Sequence, residues 1–348
     1  GNSFGIQANG SYYKSSKNSI ITIQSGNNIK FGGNNNGDGN YFAGSASRGI
    51  IMKGGTNVSF EGNFFGTDKT GEAALGPDFE DVIQLTGVSG VGNEFIDNVI
   101  VGANDESGGS GLDLINASNL TITGNYIGIT KGLNKIGNRW VGVYVNGGTN
   151  HVFDGNVFGA NGTTGTSYSI SHGLGISSAT NITVTNNYIG VAPDGTDIGN
   201  GHSGIEVNGG GAGVVIQNNV IGFNKGLRNP TFSGGVALVN SAKNVVITNN
   251  QIGVMNGNAI GNKGSGIHIE QGTNITITDN DIGNNAKYGV RAGGNDMPAG
   301  TSKEINIRSN SIFCNTLFIY SKVGTQRNLS IGGFFKLHFF NVLFQFTR

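Results

Sequence analysis

Apolar and polar residues alternate in two short phrases that recur along the chain. One phrase reads Gly-apolar-x-apolar, as in GLDL (111–114), GVYV (142–145) and GIHI (266–269). The other ends in Asn-x-apolar-Gly, as in TNITVTNNYIG (180–190) and TNITITDNDIG (273–283). Alternation over three to five residues predicts short strands with one buried face, and the Gly and Asn between them predict turns.

The second phrase returns at a nearly fixed spacing. Its shared Asn falls at positions 63, 98, 125, 156, 187, 219, 250, 280 and 310, so that six of the eight gaps are 30 to 32 residues. Three short strands in each period of about 31 residues can stack on their own copies in parallel, about 4.8 Å away. The sequence therefore predicts an all-β fold, a single-stranded parallel β-helix of about nine to ten rungs. A β-propeller of this period needs four longer antiparallel strands per blade, which these phrases do not supply.

The recurrent Asn has a structural interpretation. An Asn at the same turn of every rung can adopt the left-handed backbone conformation and stack its amide on the next copy as a ladder. We therefore expect these Asn to stabilise the fold.

The two ends of the chain depart from the repeat. Residues 1–313 are predicted to form the β-helix, with 1–46 as irregular first rungs. Residues 314–348 are Phe-rich, because 7 of the 20 Phe lie between positions 318 and 346. This segment is predicted to cap the last rung or to mediate assembly, and a sequence foreign to the repeat is the third alternative.

Composition narrows the class of protein. The 348 residues include 63 Gly and 49 Asn, and only 12% are charged, which leaves too few good helix formers for a helical domain. The formal net charge is zero, so nothing draws the chain to nucleic acid or to an anionic membrane. No run of 18 apolar residues predicts a membrane-spanning segment, and the single Cys314 excludes an internal disulfide framework.

The repeats resemble those of right-handed parallel β-helix proteins of the pectate-lyase-like superfamily. More narrowly, GNFFGTDKTGEAALG (62–76) and NYIGVAPDGTDIGN (187–200) are similar to the "NYIGTD…ALGN" repeats of secreted bacterial surface proteins. The resemblance implies a right-handed helix, export and an extracellular place at the bacterial cell surface. It brings no catalytic motif with it, so no site residue is carried over.

Chemistry is expected on side chains that point outward from the predicted face of Gly-apolar-x-apolar strands. The first outward position of successive rungs is occupied by Ile51, Gln84, Asp113, Tyr144, Gly175, Glu206, Ala237, His268 and Arg291. Asp113 and Glu206 are three rungs apart, about 14 Å at 4.8 Å per rung, which is too far for the carboxyl pair of a glycoside hydrolase.

Two places on this face are candidates for a polysaccharide lyase or epimerase. In the first, His268 is the base, Arg291 clamps a uronate carboxylate, and Glu206 and Glu270 lie nearby. The second centres on Asp113. The alternative is a polar, solvent-exposed strand face without catalysis.

Three residues near Asp113 predict a carbohydrate-binding surface. Trp140, the single Trp of the chain, together with Tyr144 and Arg139, suits stacking on a sugar ring. The alternative is a Trp covered by the adjoining loop.

Acidic loops in adjacent rungs form a candidate calcium site. Its members are Asp78, Glu80, Asp81, Asp105 and Glu106, which offer hard oxygen ligands without an EF-hand spacing. The alternative is solvated acidic loops with no cofactor. Zinc is not expected, because the five His are scattered along the sequence.

Three functions remain open. The leading hypothesis is a secreted bacterial cell-surface structural or adhesive module without catalysis, because the rungs are nearly identical and no catalytic cluster converges. The alternatives are a polysaccharide lyase or epimerase acting on uronate-containing glycans, and a non-catalytic glycan-binding module. The expected partners are a polysaccharide or cell-surface glycan, or a second copy bound through the helix ends.

Overall fold

The computed structural model describes residues 1–13, 18–35, 37–44, 47–76, 78–105, 109–163, 171–227, 233–293, 302–321, 329–332 and 345–346. These residues form a right-handed parallel β-helix built from short strands. They contain no helix long and apolar enough to cross a membrane. The predicted all-β solenoid is therefore confirmed.

Each rung contributes strands to three faces, which we name A, B and C in the order of the chain. Face A contains the Gly-apolar-x-apolar strands: Ile21–Ile23, the first part of Ile50–Glu61, Asp81–Val88, Ser110–Ile115, Val143–Asn146, Leu174–Ser177, Ile205–Asn208, Gly234–Leu238, Ser265–Ile269, Tyr288–Ala292, Leu317–Ser321 and Gln345–Phe346. Face B contains Asn27–Gly32, the second part of Ile50–Glu61, Asn93–Ile96, Leu120–Thr123, Thr149–Asp154, Thr180–Thr185, Ala212–Gln217, Ala242–Thr248, Gly272–Thr278, Lys303–Arg308 and Leu329–Gly332.

Face C is built from the shortest strands, which follow the shared Asn of each repeat. They are Ser3–Phe4, Tyr41–Phe42, Phe64–Phe65, Val99–Ile100, Tyr126–Ile127, Val157–Phe158, Tyr188–Ile189, Val220–Ile221, Gln251–Ile252, Asp281–Gly283 and Ser311–Phe313. A separate antiparallel hairpin pairs Val254–Met255 with Asn258–Ala259.

The core runs along the axis because identical positions of successive rungs lie in register. Leu112 pairs with Val143 and Val143 with Leu174, and all three are fully buried. In the first rungs the same register stacks aromatic rings: Phe4, Phe42 and Phe65 follow one another at 4.7 and 4.6 Å between centroids. Burial of these inward residues is the main source of stability.

The shared Asn of the repeats form the predicted amide ladder between faces B and C. In each step Nδ2 donates to Oδ1 of the next Asn at 2.9 to 3.2 Å. The members of this first Asn ladder are Asn2, Asn40, Asn63, Asn98, Asn125, Asn156, Asn187, Asn219, Asn250, Asn280 and Asn310.

The prediction that these Asn themselves adopt the left-handed conformation is wrong. That conformation belongs to the residue before each ladder Asn from Asn63 to Asn310, for example Asn186 (φ 56°) and Gly124 (φ 69°). The left-handed residue makes the corner, and the ladder Asn that follows directs its amide along the axis to the next rung.

A second Asn ladder, which the sequence analysis missed, lies between faces C and A. Nδ2 again donates to Oδ1 of the next member at 2.8 to 3.0 Å. Its members are Asn138, Asn161, Asn200, Asn224, Asn262, Asn285 and Asn315.

The rungs also alternate in the loop that joins face C to face A. An antiparallel bridge closes this loop after the face C strands that begin at residues 3, 64, 126, 188 and 251. In the described parts of the intervening rungs no such bridge follows. The structural unit is therefore a pair of rungs of about 62 residues, twice the predicted period.

The predicted Phe-rich segment, 314–348, lies largely outside the described residues. Its described strands continue the β-helix: Leu317–Ser321 pairs with Tyr288–Ala292, and Leu329–Gly332 pairs with Lys303–Arg308. The backbone thus keeps the parallel pairing past residue 313. The capping or assembly role of this segment stays a prediction.

Candidate functional site on face A

The first outward column of face A has the register that the sequence predicts. Gln84 lies opposite Asp113, Asp113 opposite Tyr144, and the column continues through Gly175, Glu206 and Ala237 to His268 and Arg291. The side chains differ in burial along this column. Asp113, Tyr144 and Glu206 are half-buried, whereas His268 and Arg291 are buried.

A cavity of about 220 Å³ opens beside Asp113. It is lined by Arg48, Glu80, Asp81, Ser110, Asp113, Ile115, Trp140, Val141, Tyr144 and Asn146. We call this space the Asp113 cavity. It gathers one of the two predicted catalytic centres and two of the three predicted carbohydrate-binding residues.

Ion pairs fix the acidic wall of the Asp113 cavity. Arg48 donates through Nη2 to Glu80 Oε1 at 2.7 Å and through Nε to Asp81 Oδ2 at 2.9 Å. Asp81 Oδ1 also accepts the backbone N–H of Ser110 at 3.2 Å. The Arg48 guanidinium is therefore held by two carboxylates of the neighbouring rung.

The Asp113 carboxyl is the group with the most useful chemistry in the cavity. Burial raises its pKa to about 6, and the nearby Asp81 and Glu80 charges add to the rise, while a hydrogen bond from Gln84 and the Arg48 charge oppose it. Gln84 Nε2 donates to Asp113 Oδ2 at 3.0 Å. A carboxyl with this pKa changes charge close to neutral pH, so it can exchange a proton or bind a cation there.

Trp140 and Tyr144 supply the aromatic wall. Both side chains are half-buried, so Trp140 is neither fully exposed nor completely covered by the adjoining loop. Tyr144 lies over Gly175, where a Cβ would come within 3.2 Å of Tyr144 Cδ2. Arg139 precedes Trp140 and is half-buried, but it is not among the residues that line the cavity.

The candidate calcium residues have other contacts in this structure. Glu80 and Asp81 bind Arg48. Asp78 and Asp105 lie in the adjoining loops, and Glu106 lies outside the described residues. Over the described ranges, no group of three or more His, Cys, Asp or Glu side chains is placed to hold a metal ion. Calcium binding stays a prediction, and it requires Glu80 and Asp81 to exchange Arg48 for the ion.

A second group of titratable side chains, which we call the His cluster, lies two to six rungs further along face A. His172 Nε2 is 3.1 Å from Glu206 Oε2, and the His172 and His202 rings are 5.5 Å apart. His268 lies opposite Arg291, whose guanidinium is 5.6 Å from the Tyr288 ring centroid. Two of the five His, which are 30 positions apart in the sequence, are thus neighbours, and the charges of His202 and Glu206 act on the pKa of His268.

Burial decides what the His cluster can do. His268 is 0% exposed and Arg291 is 1% exposed, so the expectation of a polar, solvent-exposed strand face is wrong here. Burial, together with the Arg291 charge, lowers the pKa of His268 to about 3. A His with this pKa is a weak base that substrate does not reach. Burial also acts to raise the pKa of Glu206, but His172, His202 and Asn208 outweigh it and lower that pKa.

Two residues of these sites, Arg48 and His172, could have been found by reading the column of corner residues that precedes the face A strands. Arg48, Asp81 and His172 each lie two residues before the first inward apolar residue of a face A strand, which is Ile50, Ile83 or Leu174. The alternation within a strand identifies only the outward positions that follow these corner residues, so it does not point to Arg48 or His172. The role of Gln84, which lies in the column that was read, became visible only through its hydrogen bond to Asp113.

Comparison with known proteins supports the fold. A family model described as the right-handed β-helix region matches residues 80–252 and 130–316. Comparison with curated protein sequences returns no match.

Solved structures show the same architecture at low sequence identity. A double mutant of the periplasmic alginate epimerase AlgG is 14% identical, with a TM-score of 0.51 over 87% of this chain and 71% of that chain. The Dettilon tailspike protein is 13% identical, with a TM-score of 0.49 over 77% and 48%. PfbA, a surface adhesin of Streptococcus pneumoniae, is 13% identical, with a TM-score of 0.43 over 88% and 70%. At these identities the likeness is one of fold alone.

Proposed function

The chain belongs to the right-handed β-helix family, and from that premise we propose that it is a secreted adhesive module that binds polysaccharide in the Asp113 cavity. The extracellular, bacterial cell-surface location is part of this proposal. It rests on the resemblance of the repeats to those of secreted surface proteins. The partner is a polysaccharide or a cell-surface glycan.

One observation carries the proposal: a cavity of about 220 Å³ in which Trp140 and Tyr144 lie beside the half-buried Asp113 carboxyl. Aromatic rings present apolar faces to the C–H groups of a sugar, and a carboxyl accepts hydrogen bonds from its hydroxyls. Pockets for drug-sized ligands measure roughly 300–1,000 Å³. The smaller Asp113 cavity therefore suits one sugar unit of a longer chain that lies across the face.

Binding is favoured over the lyase or epimerase alternative. The predicted base, His268, and the predicted clamp, Arg291, are both buried. Asp113 supports the remaining catalytic candidate, because its pKa of about 6 suits proton transfer near neutral pH. Turnover is therefore measured together with binding.

The test is a polysaccharide panel with the purified chain, with and without Ca²⁺, in which binding and product release are followed together. Trp140→Ala should weaken binding roughly 2- to 12-fold, which corresponds to about 0.5–1.5 kcal/mol for an aromatic contact. Val152→Ala is the matched control, because Val152 is also an outward, partly exposed apolar residue but lies on face B.

Each outcome separates the alternatives. Binding that is weakened in Trp140→Ala and unchanged in Val152→Ala supports the proposal. Turnover that disappears in Asp113→Asn makes the protein an enzyme instead. If no polysaccharide binds, or if Trp140→Ala and Val152→Ala behave alike, the proposed function is wrong.

A further inference from the structure

We infer that the Asp113 cavity selects a glycan that carries a positive charge, an amino sugar with a free amine, over a uronate. This inference rests on the proposed function and names the class of its ligand. It names a ligand class different from the uronate-containing glycans that were considered from the sequence. Three observations support it: the balance of lining charges, the contacts of the one lining cation, and the aromatic wall.

The charged residues that line the cavity are one cation and three acids. The cation is Arg48 and the acids are Glu80, Asp81 and Asp113. The net charge of the lining is therefore −2 when Asp113 is ionised and −1 when it is protonated. The other lining side chains are neutral. Two further cations lie nearby: Lys53 is exposed at the second outward position of face A, and Arg139 precedes Trp140. Solvent screens the charge of the exposed Lys53, and the half-buried Arg139 is not among the residues that line the cavity.

The lining cation already has partners. Arg48 donates from Nη2 to Glu80 and from Nε to Asp81 at 2.7 and 2.9 Å. A uronate carboxylate would have to compete with both acids for the same guanidinium, and it would meet Asp113 as well. Like charges in a partly desolvated site repel strongly.

One carboxylate oxygen of Asp113, Oδ1, is available to accept a hydrogen bond from a ligand. Gln84 Nε2 donates to Oδ2 at 3.0 Å, and the described residues place no hydrogen-bond donor on Oδ1. Burial raises the pKa of Asp113, and the nearby Asp81 and Glu80 charges add to the rise. A further negative charge beside these three carboxyls is repelled by them. An ammonium group has only donors, so it matches this surplus of acceptors and forms an ion pair with Asp113.

The aromatic wall also favours a cation. Trp140 and Tyr144 line the same cavity as the three carboxyls. A cation is attracted to the face of an aromatic ring, most strongly to Trp, and this attraction grows as water is excluded. Carboxylates and aromatic faces around one small cavity are the chemistry that recognises an amine.

The experiment compares three oligosaccharides of equal length by calorimetry at pH 6.5 and at pH 5.0: a glucosamine oligomer, its N-acetylated counterpart and an oligogalacturonate. We expect the glucosamine oligomer to bind at least tenfold more tightly than the acetylated one at pH 6.5. The oligogalacturonate should bind least. The preference should shrink at pH 5.0, because Asp113 then takes up a proton.

Two charge-removing variants make the test specific to the cavity. Asp113→Asn should reduce the preference for the free amine, measured as the ratio of the two affinities within that variant, to threefold or less. Glu94→Gln removes the same charge from face B, opposite Ser59 and Thr121, and should leave the preference unchanged. An asparagine has nearly the shape of an aspartate, so Asp113→Asn keeps the packing.

The possible failures are distinguishable. If both glucosamine oligomers bind equally and depend on Trp140, or if the oligogalacturonate binds most tightly, the inference is wrong and glycan binding stands. If the preference is lost equally in Glu94→Gln, long-range charge and not the cavity sets it, and the inference is wrong. If none of the three oligomers binds and the wider panel is also silent, the proposed function fails together with the inference.

Discussion

Removing one amide from the middle of the first Asn ladder should destabilise the β-helix far more than removing the amide next to it in sequence. Asn187 is 0% exposed, and its Nδ2 donates to Asn219 Oδ1 at 2.9 Å and to the carbonyl of Phe153 at 3.0 Å. Its Oδ1 accepts both the backbone N–H and Nδ2 of Asn156, at 2.8 and 3.0 Å. Nδ2 also donates to the carbonyl of Thr185 at 2.8 Å, so Asn187→Ala removes five hydrogen bonds.

The magnitude follows from the groups left without a partner. In Asn187→Ala the two Asn156 donors and the Phe153 carbonyl stay buried, and each unsatisfied group costs about 1–3 kcal/mol. For three such groups we therefore expect a loss of roughly 3–9 kcal/mol in the free energy of unfolding. Asn186→Gly is the matched control. Asn186 makes one exposed hydrogen bond, to Asp154, and Gly occupies its left-handed position in other rungs. That change should cost less than about 1 kcal/mol.

The assay combines urea unfolding with hydrogen exchange. A solenoid can unfold in parts, so a single midpoint does not report every rung. Exchange resolved by peptide should show that Asn187→Ala deprotects face B and C strands between residues 149 and 221 and leaves the first rungs unchanged. Equal midpoints and equal exchange in Asn187→Ala and Asn186→Gly would refute the view that the ladder stabilises the fold.

Two further predictions concern buried chemistry away from the cavity. Burial lowers the pKa of His151 to about 4, so on acidification the unfolded chain takes up a proton at this residue before the folded chain does. The stability due to neutral His151 is therefore complete above pH 6.5 and is lost as the pH falls to 4. The loss is about 3 kcal/mol, at 1.36 kcal/mol per pH unit. His151→Leu should flatten the dependence of urea midpoints on pH between 7 and 4 by one proton, and an unchanged slope would contradict this assignment. Glu72 joins two bridged loops by accepting from Thr130 Oγ1 at 2.5 Å and from the Gly132 N–H at 3.0 Å, so Glu72→Ala should speed hydrogen exchange in residues 128–137 severalfold while the core strands keep their protection. Equal exchange there in both proteins would show that Glu72 does not hold the loop.

The predictable part of the fold is the part that repeats with a period of two along each strand and of one rung along the axis. The outward positions of Asp113 and Tyr144 follow directly from Gly-apolar-x-apolar, because a strand alternates its side chains and the equal gaps fix the register. The second Asn ladder escaped the same reasoning. Its gaps, for example 23 between Asn138 and Asn161 and 39 between Asn161 and Asn200, alternate with the loops. A search for one fixed period averages such a pattern away.

The site was less predictable than the fold because the alternation of residues in a strand shows to which side a side chain points but not whether it is buried or lines a cavity. His268 and Asp113 occupy the same outward column, yet His268 is buried with Arg291, whereas Asp113 lines a cavity. Periodicity within one strand cannot distinguish these cases. The alternation within a strand also does not reveal the ion pair of Arg48 with Glu80 and Asp81, because these corner residues precede the strands and lie 32 and 33 positions apart.

The two-rung repeat explains why one scaffold holds two different polar sites. Moving forward by 62 residues, one structural unit, takes Asp113 to Gly175, Trp140 to His202 and Tyr144 to Glu206. The Asp113 cavity and part of the His cluster therefore occupy equivalent columns of successive units. Inward apolar residues and ladder Asn hold the backbone in place and leave the outward residues of face A free to change chemistry without changing the fold. Membership of the β-helix family thus fixes where a site can lie on this rod, while its ligand depends on which side chains occupy a few outward columns.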